Sequence, residues 1–187
     1  MKDTINEEFN EHLNVFKKTK NLSELLEVIS KLIVKKLKSG NKLIICGNGG
    51  SAADSQHIAA EVVGRFKTNR KALPAIALST DTSIITAIGN DFGFKNIFKR
   101  QVEAISKSGD IFIPISTSGN SEIILLAINA AKKNDCITIG FTGTSGGKMK
   151  DKCDYIVSVP SDNTARIQEM HIMIFHIICS IIDKSFE

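Results

Sequence analysis

The sequence lacks a paired-cysteine framework. Its four cysteines, Cys46, Cys136, Cys153 and Cys179, form no C-x-x-C pair. That argues against a disulfide scaffold and fits a reducing compartment. Cys46 and Cys136 lie in apolar, strand-like runs and read as small core residues. A basic stripe is also missing. The net charge is only +4, with lysines scattered over presumed helix faces, so nucleic acid is not an expected partner. The mild excess suits a small anionic substrate. Residues Met1 to Asn14 carry charges throughout and hold no apolar core, so no signal peptide is expected. The longest apolar run, around Ile172 to Ile182, is interrupted by His176 and Ser180 and reads as too short to span a membrane. These absences point to a cytoplasmic protein without a membrane partner. No repeat, low-complexity segment or linker breaks the 187 residues. The expectation is one domain, 1–187, with residues 1–40 forming a helical pair that packs on the rest.

What is present is a regular alternation of patterns. Ile5, Phe9, His12/Leu13 and Phe16 share one stripe of a helix near Thr4 to Lys20. Leu22, Leu25, Leu26, Ile29, Leu32, Ile33 and Leu37 recur at helical spacing in a second, closed by Gly40 and Asn41. Strands are then expected at Lys42 to Cys46, Ala75 to Leu78, Asp110 to Ile115, Cys136 to Thr142 and Tyr155 to Val159. Helices are expected at Ser51 to Arg65, Thr82 to Ile88, Asn96 to Ile105, Glu122 to Lys133 and Thr164 to Lys184. This alternation implies an α/β three-layer sandwich: a five-stranded parallel sheet flanked by helices. Ligands of such folds sit beyond the carboxyl ends of the strands.

Two polar, Gly-rich turns fall at such ends. Gly47-Asn48-Gly49-Gly50-Ser51 offers free backbone N–H groups at a helix start, which suits a phosphate. The stretch Gly47 to Ala52 also reads G-x-G-x-x-A, a dinucleotide fingerprint, but no acidic residue follows at the distance a ribose needs. Asp81 is a distant substitute. Ser116-Thr117-Ser118-Gly119-Asn120-Ser121 brings four hydroxyls to the start of another helix. One residue would suffice to cap it, so four hydroxyls around a glycine favour a phosphate cradle.

His57 and Glu61 are four residues apart and share one helix face. They could share a metal ion, or His57 could orient Glu61 as a base. The final helix is apolar on nearly every side and should be covered all round, in part by a second subunit. It also holds Gln168, His171 and His176, and helical geometry alone does not choose between the two histidines.

Taken together, Gly47 to Ser51, Asp54, His57 and Glu61, Gly89-Asn90-Asp91-Phe92-Gly93, Ser116 to Ser121, Gly146-Gly147, and Arg166-Ile167-Gln168-Glu169 with His171 and His176 resemble the phosphoheptose isomerases of the sugar-isomerase (SIS) fold. The resemblance keeps motif order from the first helix to the last. It implies a homotetramer with active sites shared between subunits and a sugar-phosphate substrate. The implied reaction converts sedoheptulose 7-phosphate to D-glycero-D-manno-heptose 7-phosphate through an enediol, the first step of nucleotide-activated heptose biosynthesis. Ser116, Thr117, Ser118 and Ser121 would hold the phosphate with Ser51 nearby. Asn48, Gly49, Gly50, Asn90 and Asp91 would line the sugar, and Gln168 would also reach the substrate. One zinc ion per subunit would be bound by His57, Glu61, Gln168 and His176. Glu61 and His176 would then be the catalytic pair and His171 structural. A relative of similar fold is not an enzyme but binds the replication initiator DnaA. It lacks the acid and the histidine that this chain carries at Glu61 and His176, so the enzyme reading is preferred. Some isomerases carry an aspartate where this chain has Ala165.

Overall fold

A computed structural model describes residues 1–187. Two helices, α1 (Lys2–Thr19) and α2 (Ser23–Lys38), precede β1 (Leu43–Gly47) and α3 (Gly50–Val63). Then come β2 (Ala75–Ala77), α4 (Thr82–Phe92), α5 (Ile97–Ile105), β3 (Ile111–Ile115), α6 (Glu122–Lys133), β4 (Ile137–Thr142), β5 (Tyr155–Ser158) and α7 (Thr164–Ser185). The five strands run parallel in the order β2-β1-β3-β4-β5. Alternate side chains of each strand enter opposite layers. Leu43 and Ile45 of β1 join Ile111, Ile113 and Ile115 of β3 under α2, α3 and α7. Ile44, Cys46 and Phe112 face α5 and α6. Both faces are covered, so the strands carry apolar runs rather than an apolar/polar alternation. The edge strands β2 and β5 span only three and four residues, which limits the unpaired backbone at each side of the sheet.

The chain leaves β1 toward β2 on one side and later enters β3 on the other, so the strand order reverses between β1 and β3. Crevices at such a reversal, beyond the carboxyl ends, are where α/β sheets bind ligands. Gly47 pairs in register with Ile115, so the two polar turns that follow these strands start side by side.

One expectation needs correction. The helix expected to end at Ile88 continues to Phe92, so Asn90 and Asp91 sit in the last turn of α4 rather than in a loop. Gly93, at φ +82°, ends it in the left-handed region open to glycine. The final helix is not covered on every side within one chain: Ile177 is exposed, and Ile172, Met173 and Ile181 are half-buried. By length and composition alone α7 could cross a membrane. It packs instead across the sheet and against α2 and α3, with Arg166, His171 and Asp183 buried along it. The stripe of α1 also turns outward. Ile5, Phe9, Leu13 and Phe16 are exposed, while only Val15 and Thr19 are buried.

Candidate active site

The loop after β3 leaves the Ser121 hydroxyl uncommitted to helix capping. Ser121 is the N-cap of α6, yet its side chain makes no capping bond. Its hydroxyl instead accepts from Asn48 Nδ2 at 3.1 Å, which ties the two polar turns together. Ser118 Oγ accepts the Asn120 N–H at 3.2 Å, a local turn that shapes the loop. Gly119, at φ +64°, lies so close to the Gly146 carbonyl that no side chain fits there. Simple helix capping therefore does not account for these hydroxyls. A polar cavity of about 230 Å³ borders the loop, with Thr144, Ser145, Ser161 and Thr164 on its far wall. Sequence reasoning missed these four; their signal was their place after β4 and β5, at the same ends of the sheet.

The glycine-rich turn after β1 is shaped by its neighbours. Gly50 packs so tightly on the Gln168 side-chain amide that any Cβ would collide with it. The contact docks the start of α3 on α7. Ser51 is buried at this junction. Asp81, the residue a dinucleotide reading would need, is engaged elsewhere. Its carboxylate accepts the Ile84 N–H at 2.9 Å and caps α4. Asn90 Nδ2 donates to Asp91 Oδ1 at 2.7 Å on the exposed end of α4. The following turn packs on α6, with Lys95 Nζ 3.6 Å from Glu122, so this end of α4 lies on the same side of the sheet as the Ser116–Ser121 loop.

Further along α3, His57, Glu61 and His176 converge. Their ligand atoms all lie within 4.8 Å of one another. Glu61 Oε1 is 3.0 Å from His57 Nε2 and 3.4 Å from His176 Nε2. The Glu61 side chain is only 13% exposed, so the i,i+4 pair is not an ordinary surface pair. The other oxygen, Oε2, is buried and accepts no hydrogen bond from a nitrogen or oxygen donor. Beside the carboxylate sits the Cys179 thiol, which burial and then the Glu61 charge push far above its usual range. It is therefore a neutral S–H. Phe66 stacks on the His176 ring, with centroids 5.3 Å apart and 11° between planes, and His57 meets that ring edge-on. Asp54, one turn before His57, has its carboxyl raised by burial, partly offset by His57. Gln168 precedes His176 on α7 and contacts Gly50.

His171 is elsewhere. It is fully buried, its Nε2 lies 3.2 Å from the Thr142 carbonyl, and its ring meets Phe141 edge-on. Burial lowers its pKa to about 4, despite the opposing Thr142 bond. It is a neutral structural histidine.

Residues 7–143 match the SIS domain family. The chain is 55% identical to the phosphoheptose isomerase of a Nitratiruptor species over 187 residues, all of both chains. The chain belongs to the phosphoheptose isomerase family. Among solved structures, the phosphoheptose isomerase GmhA from Neisseria gonorrhoeae is 41% identical, with a TM-score of 0.93 over 98% of each chain. A phosphoheptose isomerase from Francisella tularensis is 40% identical, with a TM-score of 0.94 over 97% of each. The fold is thus the SIS fold, and the chain is an aldose–ketose isomerase. Nothing in these relatives supports the non-enzymatic, DnaA-binding alternative. The arrangement presents a hydroxyl-lined loop after β3 and, beyond the glycine-rich turn, a carboxylate between two imidazoles.

Proposed function

We propose that this isomerase interconverts sedoheptulose 7-phosphate and D-glycero-D-manno-heptose 7-phosphate, feeding nucleotide-activated heptose biosynthesis from the cytoplasm. The observation that carries the reading is the convergence of His57 and His176 on one oxygen of a mostly buried Glu61, in a chain whose relatives are phosphoheptose isomerases. Ser116, Thr117, Ser118, Ser121 and Ser51 hold the phosphate through hydroxyls and backbone N–H groups. Asn48, Gly49, Gly50, Asn90, Asp91 and Gln168 line the sugar chain.

Ketose-to-aldose conversion relocates hydrogen between C1 and C2. Glu61 takes the proton from C1, while His176 donates one to the C2 oxygen, giving the enediol. Glu61 then returns its proton to C2, and His176 recovers one from the C1 oxygen as the aldehyde forms. Protons and electrons balance, and the product is an isomer. His57 orients the Glu61 carboxylate.

The cluster also fits a metal. Two imidazole nitrogens and a carboxylate oxygen within 4.8 Å of one another form a donor set suited to zinc with a position left open. We propose one zinc ion per subunit, held by His57, Glu61 and His176, with Gln168 as a weak, displaceable fourth ligand. Bound there, zinc would supply Lewis-acid polarisation of the carbonyl. The decisive test is to incubate the purified protein with sedoheptulose 7-phosphate and follow the product by NMR. Appearance of the aldose is expected; no turnover of this sugar, with turnover of another ketose phosphate, would reassign the substrate.

A further inference from the structure

Behind the His57–Glu61–His176 cluster, the ends of α3 and α7 are joined by an ion pair that the proton transfer does not use. Arg70 lies in the loop between α3 and β2, and Asp183 near the end of α7. Arg70 Nε donates to Asp183 Oδ1 at 2.8 Å, and the two side chains are 1% and 2% exposed. The rest of the guanidinium turns to the C-terminus of α3. Nη2 donates to the Glu61 carbonyl at 2.9 Å, and Nη1 to the Val62 carbonyl at 3.0 Å. These carbonyls belong to the last turn of the helix, where no partner exists within the helix itself. Nη1 also reaches the Lys71 carbonyl at 3.0 Å.

The carboxylate also holds backbone. Asp183 Oδ2 accepts the Lys67 N–H at 2.6 Å and the Thr68 N–H at 3.0 Å. That pins the chain immediately after Phe66, the ring stacked on His176. One end of the ion pair thus grips the backbone of Glu61. The other fixes the aromatic plane against His176 and sits two helical turns beyond it on α7.

We infer that Arg70 and Asp183 are positioning residues for the proton-transfer pair: together they fix the Glu61 backbone relative to the His176 ring, and so control turnover without touching substrate. The inference rests on the reading of Glu61 and His176 as that pair. A buried ion pair is not needed for stability alone, because an apolar pair of similar volume often serves as well. What apolar side chains cannot do is direct a rigid planar fork at two carbonyls while a carboxylate collects two backbone N–H groups. Catalytic groups must be held to within about 0.5 Å to work. Phosphate binding by the Ser116–Ser121 loop is independent of this bracket, since that loop is held by Asn48 and by the Gly146–Gly147 segment.

The test compares Arg70→Lys and Asp183→Asn with Glu61→Gln, all assayed on sedoheptulose 7-phosphate well below each variant's melting temperature. Arg70→Lys keeps the charge and loses the fork. Asp183→Asn keeps an oxygen for the Lys67 and Thr68 N–H groups and loses the charge, so it serves if Arg70→Lys does not fold. The expected result is a kcat lowered about tenfold or more in Arg70→Lys, and less in Asp183→Asn, with KM within about twofold of the parent. Arg70→Lys added to Glu61→Gln should cost little beyond Glu61→Gln alone, since both act through one group. Parent-like kcat in both folded variants, with only the melting temperature lowered, would overturn the inference and leave the pair a structural tie. Parent-like kcat in Glu61→Gln would instead overturn the catalytic reading beneath it.

Discussion

Contacts from three sides meet at Glu61. Its Oε1 meets both imidazoles, its Oε2 is buried, the Cys179 thiol lies beside the carboxylate, and its carbonyl is held by Arg70. A carboxylate held in this way suits the proposed acid/base role, and His176, stacked on Phe66, is its proposed counterpart at the substrate oxygens. Glu61→Gln and His176→Gln are each expected to cut turnover by about two orders of magnitude or more. Steady-state kinetics on the heptose phosphate will show it, and near-normal kcat in either would remove that residue from the chemistry. The hydroxyls of the β3–α6 loop call for a different readout. Since Ser121 does not cap its helix, Ser118→Ala and Ser121→Ala should weaken phosphate binding by about 1 kcal/mol per hydrogen bond lost. Calorimetric titration with inorganic phosphate and with the sugar phosphate measures this directly; unchanged affinity would leave the loop a structural turn.

At the scale of elements, α7 carries two histidines with opposite fates. His171 points into the sheet and His176 toward α3, as five residues of helical rotation require. In the folded chain His171 resists protonation down to about pH 4, from an ordinary value of 6.5. The unfolded chain binds that proton more readily. Its contribution to stability is therefore complete above about pH 6.5 and is lost as pH falls toward 4. Urea midpoints for the parent should fall between about pH 7 and about pH 5 by more than those of His171→Gln, in which this proton is missing. Equal falls would show that His171 does not set the acid limit. The same helix shows what the sequence made legible. Strands and helices followed from their periodicity, mostly to within a few residues at each end, because each buries one predictable face. His57 and Glu61 were visible as a local pair. His176 was separable from His171 only through the family resemblance, since the choice depends on how α7 is rotated against the sheet. Arg70 and Asp183 were not legible at all: they are 113 residues apart, and neither sits in a local pattern that suggests a partner.

Two consequences belong to the molecule as a whole. The proposed zinc would join α3 to α7, elements that only the complete fold brings together, so its binding stabilises the native state by mass action. Protein purified without chelator should carry zinc at up to one ion per subunit by elemental analysis. Returning zinc to stripped protein should raise both activity and melting temperature, and His57→Ala should abolish both gains. If zinc changes neither quantity, His57 serves only to orient Glu61, in a metal-free isomerase. The second consequence concerns surface. Along α1 the exposed positions Ile5, Phe9, Leu13 and Phe16 form a continuous apolar stripe, with Phe9 as much as 67% open to water. Ile177 adds to the apolar exposure on α7. A helix that turns its apolar face outward, beside its own well-filled core, presents the kind of patch that marks a subunit contact. We propose that this face is covered by further copies of the chain in a homotetramer whose active sites are shared between subunits. Light scattering at micromolar concentration should then give a tetramer for the parent. Phe9→Glu places a charge in the middle of the stripe, where burial would cost several kcal/mol on the order of an unpaired ion, so this variant should dissociate to smaller species. Its intrinsic fold should survive, as judged by circular dichroism, because Phe9 contributes nothing to the core of its own subunit. Activity should fall in step with dissociation if subunits share sites. A parent that scatters as a monodisperse, active monomer would refute both the assembly and the sharing.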